Sequence, residues 1–502
     1  MLQNGFLKNI DTLPGVLRRF LDDGLVISPW LAGVNGNGRF DAAVFKFLDS
    51  EARELADTQW TEQEQLKAFG ALAVPERLAR TAIYEIAAST AVSLAHEESG
   101  SPWVEEESAR VAVHMVREFC AEFGAATLVQ LYSVATGYEN LQAVAYYGQM
   151  PERDFVLGRW HRPWVDYSLG DELLLGVVIG NYRIGIVDGR RMVSLTDQGV
   201  ETYRKVEQIL DEAGYLSHRV RQLHVSRFNL LDNFDQLSRE ISPDWMPQRR
   251  AFLDWVGVRP GMRVLELGCA SGAFTFEGGL AERVGPNGQV IAVDPARSML
   301  ARAETRRSQL GYNWVSFLQG RAEDLPFADE SFDAVVGVAF LHFTDMPRAL
   351  KEMRRVTRSG GFVGCFNPVS FQQENPFLEH SFLREWFAPL QKLALSRHED
   401  RPRDFLSSPD VIHRHFAEAG LVDIRRTLLE SRNLFPEPAK VLDIYIRGVG
   451  LFQEELATIP WKAREDLIAE LEANGRIVCS KYPESERVVL FPQVMISGVV
   501  RR

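Results

Sequence analysis

Cysteine is scarce in this sequence. Four occur in 502 residues, Cys120, Cys269, Cys365 and Cys479, and none stands in a CxxC pair or beside a histidine at metal-ligand spacing. That excludes a disulfide scaffold and argues against a zinc site. Positive charge is also in short supply, with 56 Lys and Arg against 68 Asp and Glu and a formal net charge of -12. A phosphate backbone needs a basic stripe, so this balance argues against nucleic acid as a general partner. No apolar run reaches the roughly 18 residues of a membrane-spanning helix, and the stretch MLQNGFLKNI lacks the pattern of a secretory signal. The expectation is a cytoplasmic protein with no membrane span. With 46% hydrophobic residues over 502 positions, two or three domains with ample cores are expected.

What is present falls into three parts. Residues 1–150 carry apolar residues at three and four spacing in Phe45 to Leu55, Leu78 to Leu94 and Val111 to Phe123, which predicts helices. Ser101-Pro102-Trp103 ahead of Glu105, Glu106 and Glu107 reads as a helix start, with a small cap and acids over the positive helix end. Residues 151–240 change character. ELLLGVVIGNYRIGIV is β-rich, Asp188-Gly189 is a two-residue hairpin turn, and RRMVSLT is a second strand running into a helix capped at Thr196. Strand, DG turn, strand and helix resemble the wing and following helix of winged-helix domains such as those of MarR-type regulators. Ile241-Ser-Pro-Asp-Trp-Met-Pro247 holds two prolines within five residues and marks a boundary.

From 241 to 502 strands and helices alternate. Strands are expected at 263–267, 289–293, 315–318, 334–338 and 361–366, with helices at 248–256, 273–284, 296–310 and 347–357. Such alternation predicts an α/β parallel sheet covered on both faces. In such sheets ligands bind beyond the carboxyl ends of the strands. The first strand ends in VLELGCASGAF, where Gly268, Ala270 and Gly272 leave the backbone bare enough for a ligand to lie against its N–H groups. The second strand ends at Asp294, 22 residues after Gly272, where a carboxylate can accept from both hydroxyls of a ribose. The third glycine of a dinucleotide fingerprint is missing, which turns the reading from a pyrophosphate to another nucleoside-bearing ligand.

Together, RPGMRVLELGCASG, QVIAVDPARSML, QGRAEDLPFADESFDAVVGVAFLHFTD and ALKEMRRVTRSGGFV resemble, in order, the motifs of class I S-adenosylmethionine-dependent methyltransferases. The similarity is greatest to the small-molecule branch that includes the ubiquinone and menaquinone biosynthesis enzymes. It covers residues 248–370 strongly and extends weakly through HFAEAGLVDIRRT and VVLFPQVMISGVVRR, which look like the last helix and the sixth and seventh strands. The resemblance implies a Rossmann-like seven-stranded sheet and S-adenosyl-L-methionine as cofactor. It places Glu266 at the cofactor's ammonium and Gly268, Cys269, Ala270 and Gly272 around its methionyl and ribose portion. Asp294, followed by Pro295, would hold the ribose hydroxyls, and Met299 would stand near the adenine. The backbone of Ala322 with the side chain of Glu323 or Asp324 would face the adenine's amino edge, and Val338 and Ala339 would border the sulfonium. Arg321 stands where the family often has an acid, and Ser359-Gly360-Gly361 where a proline is usual.

His342, in FLHFTD, is a candidate proton acceptor, with a histidine that merely enters a helix as the alternative. The aromatic-rich insert at about 371–408, with Phe371, Phe377, Phe382, Trp386 and Phe387, is read either as a lid over an apolar or aromatic acceptor or as ordinary helix packing. The expected reaction is attack by an O, N or C nucleophile of a small methyl acceptor on the cofactor methyl. Plant-type and polyketide O-methyltransferases share a winged-helix portion ahead of the catalytic domain, which implies a homodimer through the N-terminal region. The rival is a cofactor-sensing winged-helix regulator, with Arg190 and Arg191 on phosphates.

Overall fold

Strands Arg263–Leu267, Gln289–Asp294 and Phe332–Val338 are almost uniformly hydrophobic, as strands covered on both faces must be. The computed structural model describes residues 12–25, 41–61, 63, 76–95, 103–158, 170–218, 228, 233–370, 380–390, 406–448, 456 and 459–502. The chain forms two compact units, Met1–Leu223 with Glu454–Asp466, and His224–Gln453 with Leu467–Arg502.

In the first unit the helix Ala125–Tyr147 is apolar on nearly every side and buried along most of its length. A helix of that composition needs neighbours all round. Helices Ala42–Gln59, Glu76–Leu94, Glu106–Phe123 and Asp197–Glu212 supply them. The helix expected to start at Ser101 begins at Glu106, with Glu105 at its cap position; Ser101 and Pro102 lie outside the described residues. Strands β1 (Gln149–Pro151), β2 (Tyr182–Val187) and β3 (Arg190–Leu195) make an antiparallel sheet in the order β1-β3-β2. Asp188 and Gly189 have φ of 49° and 74°, as a type I′ turn requires. Thr196 caps the next helix by accepting from the Gly199 N–H at 3.0 Å. One expectation is corrected here. ELLLGVVIG is not a strand, because Gly170–Val178 is a helix with Asp171 and Glu172 over its positive end, and only Tyr182–Val187 is extended. The uninterrupted apolar run lacks the two-residue alternation that would have separated a strand from a helix.

The second unit holds a seven-stranded sheet. Its strands are β4 (Arg263–Leu267), β5 (Gln289–Asp294), β6 (Val315–Gln319), β7 (Phe332–Val338), β8 (Thr357–Pro368), β9 (Leu421–Leu434) and β10 (Val488–Val500). They lie in the order β6-β5-β4-β7-β8-β10-β9, with β10 antiparallel to both neighbours. This is the expected Rossmann-like α/β fold. Leu265, Leu267, Val335 and Val363 face a core closed by Met346–Val356 and Pro409–Glu418. Val264, Val290, Val336 and Phe366 face the other, closed by Trp245–Val256 and Leu280–Val284. The helix expected at 273–284 is shorter than its sequence suggests. Residues 270–279 form tight turns, and only Leu280–Val284 is helical, because the Gly278-Gly279 pair breaks the run, with Gly279 at φ 88°.

Candidate functional site

Order in the sheet brings the site together. The carboxyl ends of β5, β4, β7 and β8, the start of β10 and the end of β9 share one edge, since Gln493 pairs with Pro368 and Asn433 with Val489. From β5 to β9 are five strand intervals, roughly 24 Å at about 4.8 Å each. Along this edge runs a cleft. Gly268, Cys269, Ala270 and Asp294 line one end, Val338, Ala339 and His342 border it, and Asn433, Tyr445, Phe491 and Gln493 also contribute to its wall.

The glycine loop is shaped first by the protein itself. Gly268 has φ 68°, and a Cβ there would stand 2.3 Å from the Phe340 Cβ. At Gly272, φ 82°, a Cβ would meet the Phe276 ring at 2.7 Å. The expectation that the loop offers free N–H donors is corrected at four positions. The Gly268 and Cys269 N–H groups donate to the Val293 carbonyl, Ala270 donates to Asp294 Oδ2 at 2.8 Å, and Gly272 donates to the Cys269 carbonyl. The loop presents a smooth surface rather than a nest of donors.

Asp294 is buried. Its Oδ1 accepts from the Ala296 N–H and its Oδ2 from Ala270, both at 2.8 Å, which leaves lone pairs on each oxygen. Burial pushes its carboxyl up to about 6, against the pull of those two bonds. Glu266 lies within the sheet, 1% exposed, on the face that meets the helix Trp245–Val256. Burial pushes it up to about 7, while the Thr275 hydroxyl donating at 2.6 Å and the positive charge of Arg249 pull the other way. A carboxylate so poised gains from a cation placed nearby. His342 sits in the turn Leu341–Phe343 after β7, its ring centroid 4.1 Å from that of Phe343. Burial pushes it down to about 3, so the imidazole is neutral and able to accept a proton only from a strong acid.

Several expected contacts, Glu266 among them, do not line the cleft. Gly272 faces Phe276, Met299 is fully buried in its helix, and Ala322 lies in the core. Pro295 is absent from the lining and its carbonyl accepts from Gln319 at 3.3 Å. Glu323 accepts from the Asp345 N–H at 2.8 Å and so braces a helix start. Of the insert, Phe371 and Phe377 lie outside the described residues. Phe382 and Trp386 pack against Phe435 at 5.6 and 6.3 Å, and Phe435 stacks on Tyr445 at 5.1 Å, so these rings back the cleft wall and do not line it.

Other lining residues went unforeseen. Phe228, Phe234, Asp235 and Ser238 precede the boundary expected at 241, and Arg249 and Trp245 sit in the next helix. Asp235 accepts from the Ser271 hydroxyl at 2.6 Å and from Arg306 at 3.2 Å, pinning the loop from outside. The amphipathic stretch FDQLSREI was a legible signal for that helix. Nothing in its sequence tied it to the loop.

A sheet of this order, parallel except for β10, with a small-residue loop after β4 and a buried acid ending β5, is the architecture of a class I S-adenosylmethionine-dependent methyltransferase domain. The residues present fit the cofactor, because Asp294 keeps free lone pairs in the cleft beside the small residues Gly268 and Ala270. The family described as "Methyltransferase domain" matches residues 259–387. A demethylmenaquinone methyltransferase of Bacillus velezensis is 30% identical over 202 residues, 38% of this chain and 85% of that protein. That of Symbiobacterium thermophilum is 32% identical over 216 residues, 40% and 84% of the respective chains. A solved structure of a SAM-dependent methyltransferase from Aquifex aeolicus aligns with 53% of this chain and 98% of its own at 15% identity and a TM-score of 0.31. The chain belongs to the S-adenosylmethionine-dependent methyltransferase family that includes the demethylmenaquinone methyltransferases. It is an enzyme, S-adenosyl-L-methionine is its cofactor, and among its described residues no helix is long and apolar enough to cross a membrane.

Proposed function

We propose that the chain transfers the cofactor's methyl group to an O, N or C nucleophile of a small apolar or aromatic molecule. S-adenosyl-L-methionine supplies an electrophilic methyl on a sulfonium. The protein's part is to bind, orient and exclude water. The observation that carries the reading is the composition of the cleft beyond the cofactor end. Phe228, Trp245, Met246, Phe343, Ile444 and Phe491 form apolar walls around few polar groups, as a site for an apolar ring would. The relatives are named for demethylmenaquinone, which supports a quinone-type acceptor. Residues Gly268 to Ala270 with Asp294 would cradle the nucleoside, Glu266 would face the ammonium, and Val338 and Ala339 would border the reacting methyl. His342 stands at the cleft wall, but burial that pushes it down to about 3 makes it a poor acceptor of a nucleophile's proton, so positioning and exclusion of water carry the transfer.

Incubation with methyl-labelled cofactor and a panel of reduced quinones, phenols and apolar amines tests this. Label transferred to a ring acceptor is the expected result, and label found only on polar or macromolecular acceptors would sink the reading. In the first unit, we propose that the three-stranded sheet with its flanking helices is winged-helix-like and mediates a homodimer, as the resemblance to O-methyltransferases suggests. Sedimentation equilibrium giving a monomer at micromolar concentration would oppose it. Arg191 is ion-paired with Glu152, an exposed contact that a phosphate would have to displace.

A further inference from the structure

One polar side chain stands on a strand face that is otherwise apolar. In β10, Phe491, Gln493 and Met495 point to the same side of the sheet, and Met495 belongs to the core closed by the helix Trp245–Val256. Gln493 is 5% exposed and lines the cleft. Directly opposite it lie Pro368 on β8 and Leu429 on β9, and neither side chain can take a hydrogen bond. Among the described residues its amide has no partner. The Ser238 hydroxyl, which also lines the cleft, is likewise buried without one. It sits one helical turn before Ser242, whose own hydroxyl is spent on Asn433. Amides and hydroxyls left unsatisfied on burial oppose folding, so both groups suit a ligand that completes them.

The charged residues of the cleft gather at its other end. Asp294 ends β5, Asp235 accepts from Ser271 of the glycine loop, and the acids whose charge acts on Arg249 are Glu266 of β4, Asp235 and Glu277. At the β9–β10 end the polar lining is neutral, with Gln493, Asn433, Tyr445, Ser238 and Ser242 set among apolar walls. A carboxylate, phosphate or ammonium buried there would lack a counter-ion, whereas a neutral oxygen needs none. Asn433 is engaged by Ser242, Ser431 and Tyr445 and holds the wall, which leaves Gln493 to read what enters. We propose that Gln493 selects the methyl acceptor by hydrogen-bonding an uncharged oxygen on its ring. The amide serves either form of that oxygen, because Nε2 donates to a carbonyl and Oε1 accepts from a hydroxyl. The acceptor class narrows accordingly to rings bearing neutral hydroxyl or carbonyl groups, as against acids, phosphates and amines. This rests on the reading of the β9–β10 end as the site of an apolar acceptor.

Calorimetry on the full chain, saturated with the demethylated cofactor S-adenosylhomocysteine, compares matched ring probes: naphthol, naphthalene, naphthoate and naphthylmethylammonium. The wild type is expected to bind naphthol about ten- to a hundredfold more tightly than naphthalene and to bind both ions more weakly than naphthol. Gln493→Met, of similar volume and without the amide, is expected to bind naphthol and naphthalene alike while its affinity for S-adenosylhomocysteine is unchanged. It should also melt no lower than the wild type, because the group removed is an unsatisfied one, so the lost preference is not a lost fold. Gln493→Glu should move the ranking towards the ammonium probe. Equal affinity of the wild type for naphthol and naphthalene overturns the proposal, as does tightest binding of naphthoate or of the ammonium. A naphthol preference that survives in Gln493→Met, or a wild-type ranking in Gln493→Glu, assigns the selection to another residue and is equally fatal. Binding of none of the probes by the wild type defeats the reading of this end as an apolar acceptor site, and the proposal with it.

Discussion

The two ends of the cleft are built by different means. At the β4–β5 end, position is fixed by backbone. Gly268 takes a left-handed turn under Phe340, and Asp294 is held by two main-chain N–H groups. At the β9–β10 end, position is fixed by side chains. The Asn433 Nδ2 donates to the Ser431 carbonyl, and its Oδ1 accepts from the hydroxyls of Ser242 and Tyr445. A site held by main chain tolerates little variation, whereas a wall held by one amide and stacked rings can be re-cut for another ligand. The contrast matches a division of labour between an invariant cofactor and a variable acceptor.

Gly268→Ala attacks the backbone-held end most directly. A methyl at φ 68° and 2.3 Å from the Phe340 Cβ should cost about 2–4 kcal/mol in strain and overpacking. Thermal or urea melts check this, and an unchanged melt would mean the loop is not fixed as described. Asp294→Ala comes next, with an expected loss of about 30- to 100-fold in cofactor affinity by calorimetry. Wild-type affinity in that variant would remove the ribose role.

Acidity then separates the ends. Glu266 titrates near 7 in the ligand-free protein, above its ordinary 4.5, so its ionised form opposes folding and its contribution to stability falls as pH rises from about 4.5 to 7. On the proposed contact of Glu266 with the ammonium, cofactor binding draws on that same ionised form, so affinity should rise by up to about tenfold between pH 6 and 8. Glu266→Gln should flatten both trends, and a pH-independent affinity in the wild type would exclude Glu266 from contact with the ammonium. The smallest effect is expected at the other end. Asn433→Ala should raise the acceptor's KM by about three- to tenfold while leaving cofactor affinity unchanged, which steady-state kinetics and calorimetry together resolve. A matching loss of cofactor affinity would show that the ends are not independent.

Much of the first end was legible in the sequence because its constraints are local. A strand, a run of small residues and an acid ending the next strand lie within 31 positions, Val264 to Asp294. The second end was not, because its residues come from segments far apart, Ser242, Asn433, Tyr445 and Gln493, and nothing in their local pattern links them. Arg249 shows the same limit. On a helix its spacing reads as an ordinary surface arginine, and only the packing of that helix on the Glu266 face turns it inward. The reason offered for Gly268 also changed, since Phe340, 72 positions later, fills the space that a ligand was expected to need. The misread ELLLGVV run reflects a different ambiguity, in which composition without alternation fits either element.

The placement of β10 carries a consequence for how this enzyme comes into being. The strand Val488–Val500 inserts between β8 and β9, both made earlier, and delivers Phe491 and Gln493 to the cleft. While a ribosome is still translating residue 480, β9 has no partner in the sheet and the wall proposed for the acceptor has a gap. Closing it requires contacts that span more than 120 positions, Gln493 to Pro368, the kind of long-range pairing that makes folding slow. The β4–β5 end of the cleft can therefore form on the nascent chain well before the β9–β10 end is closed.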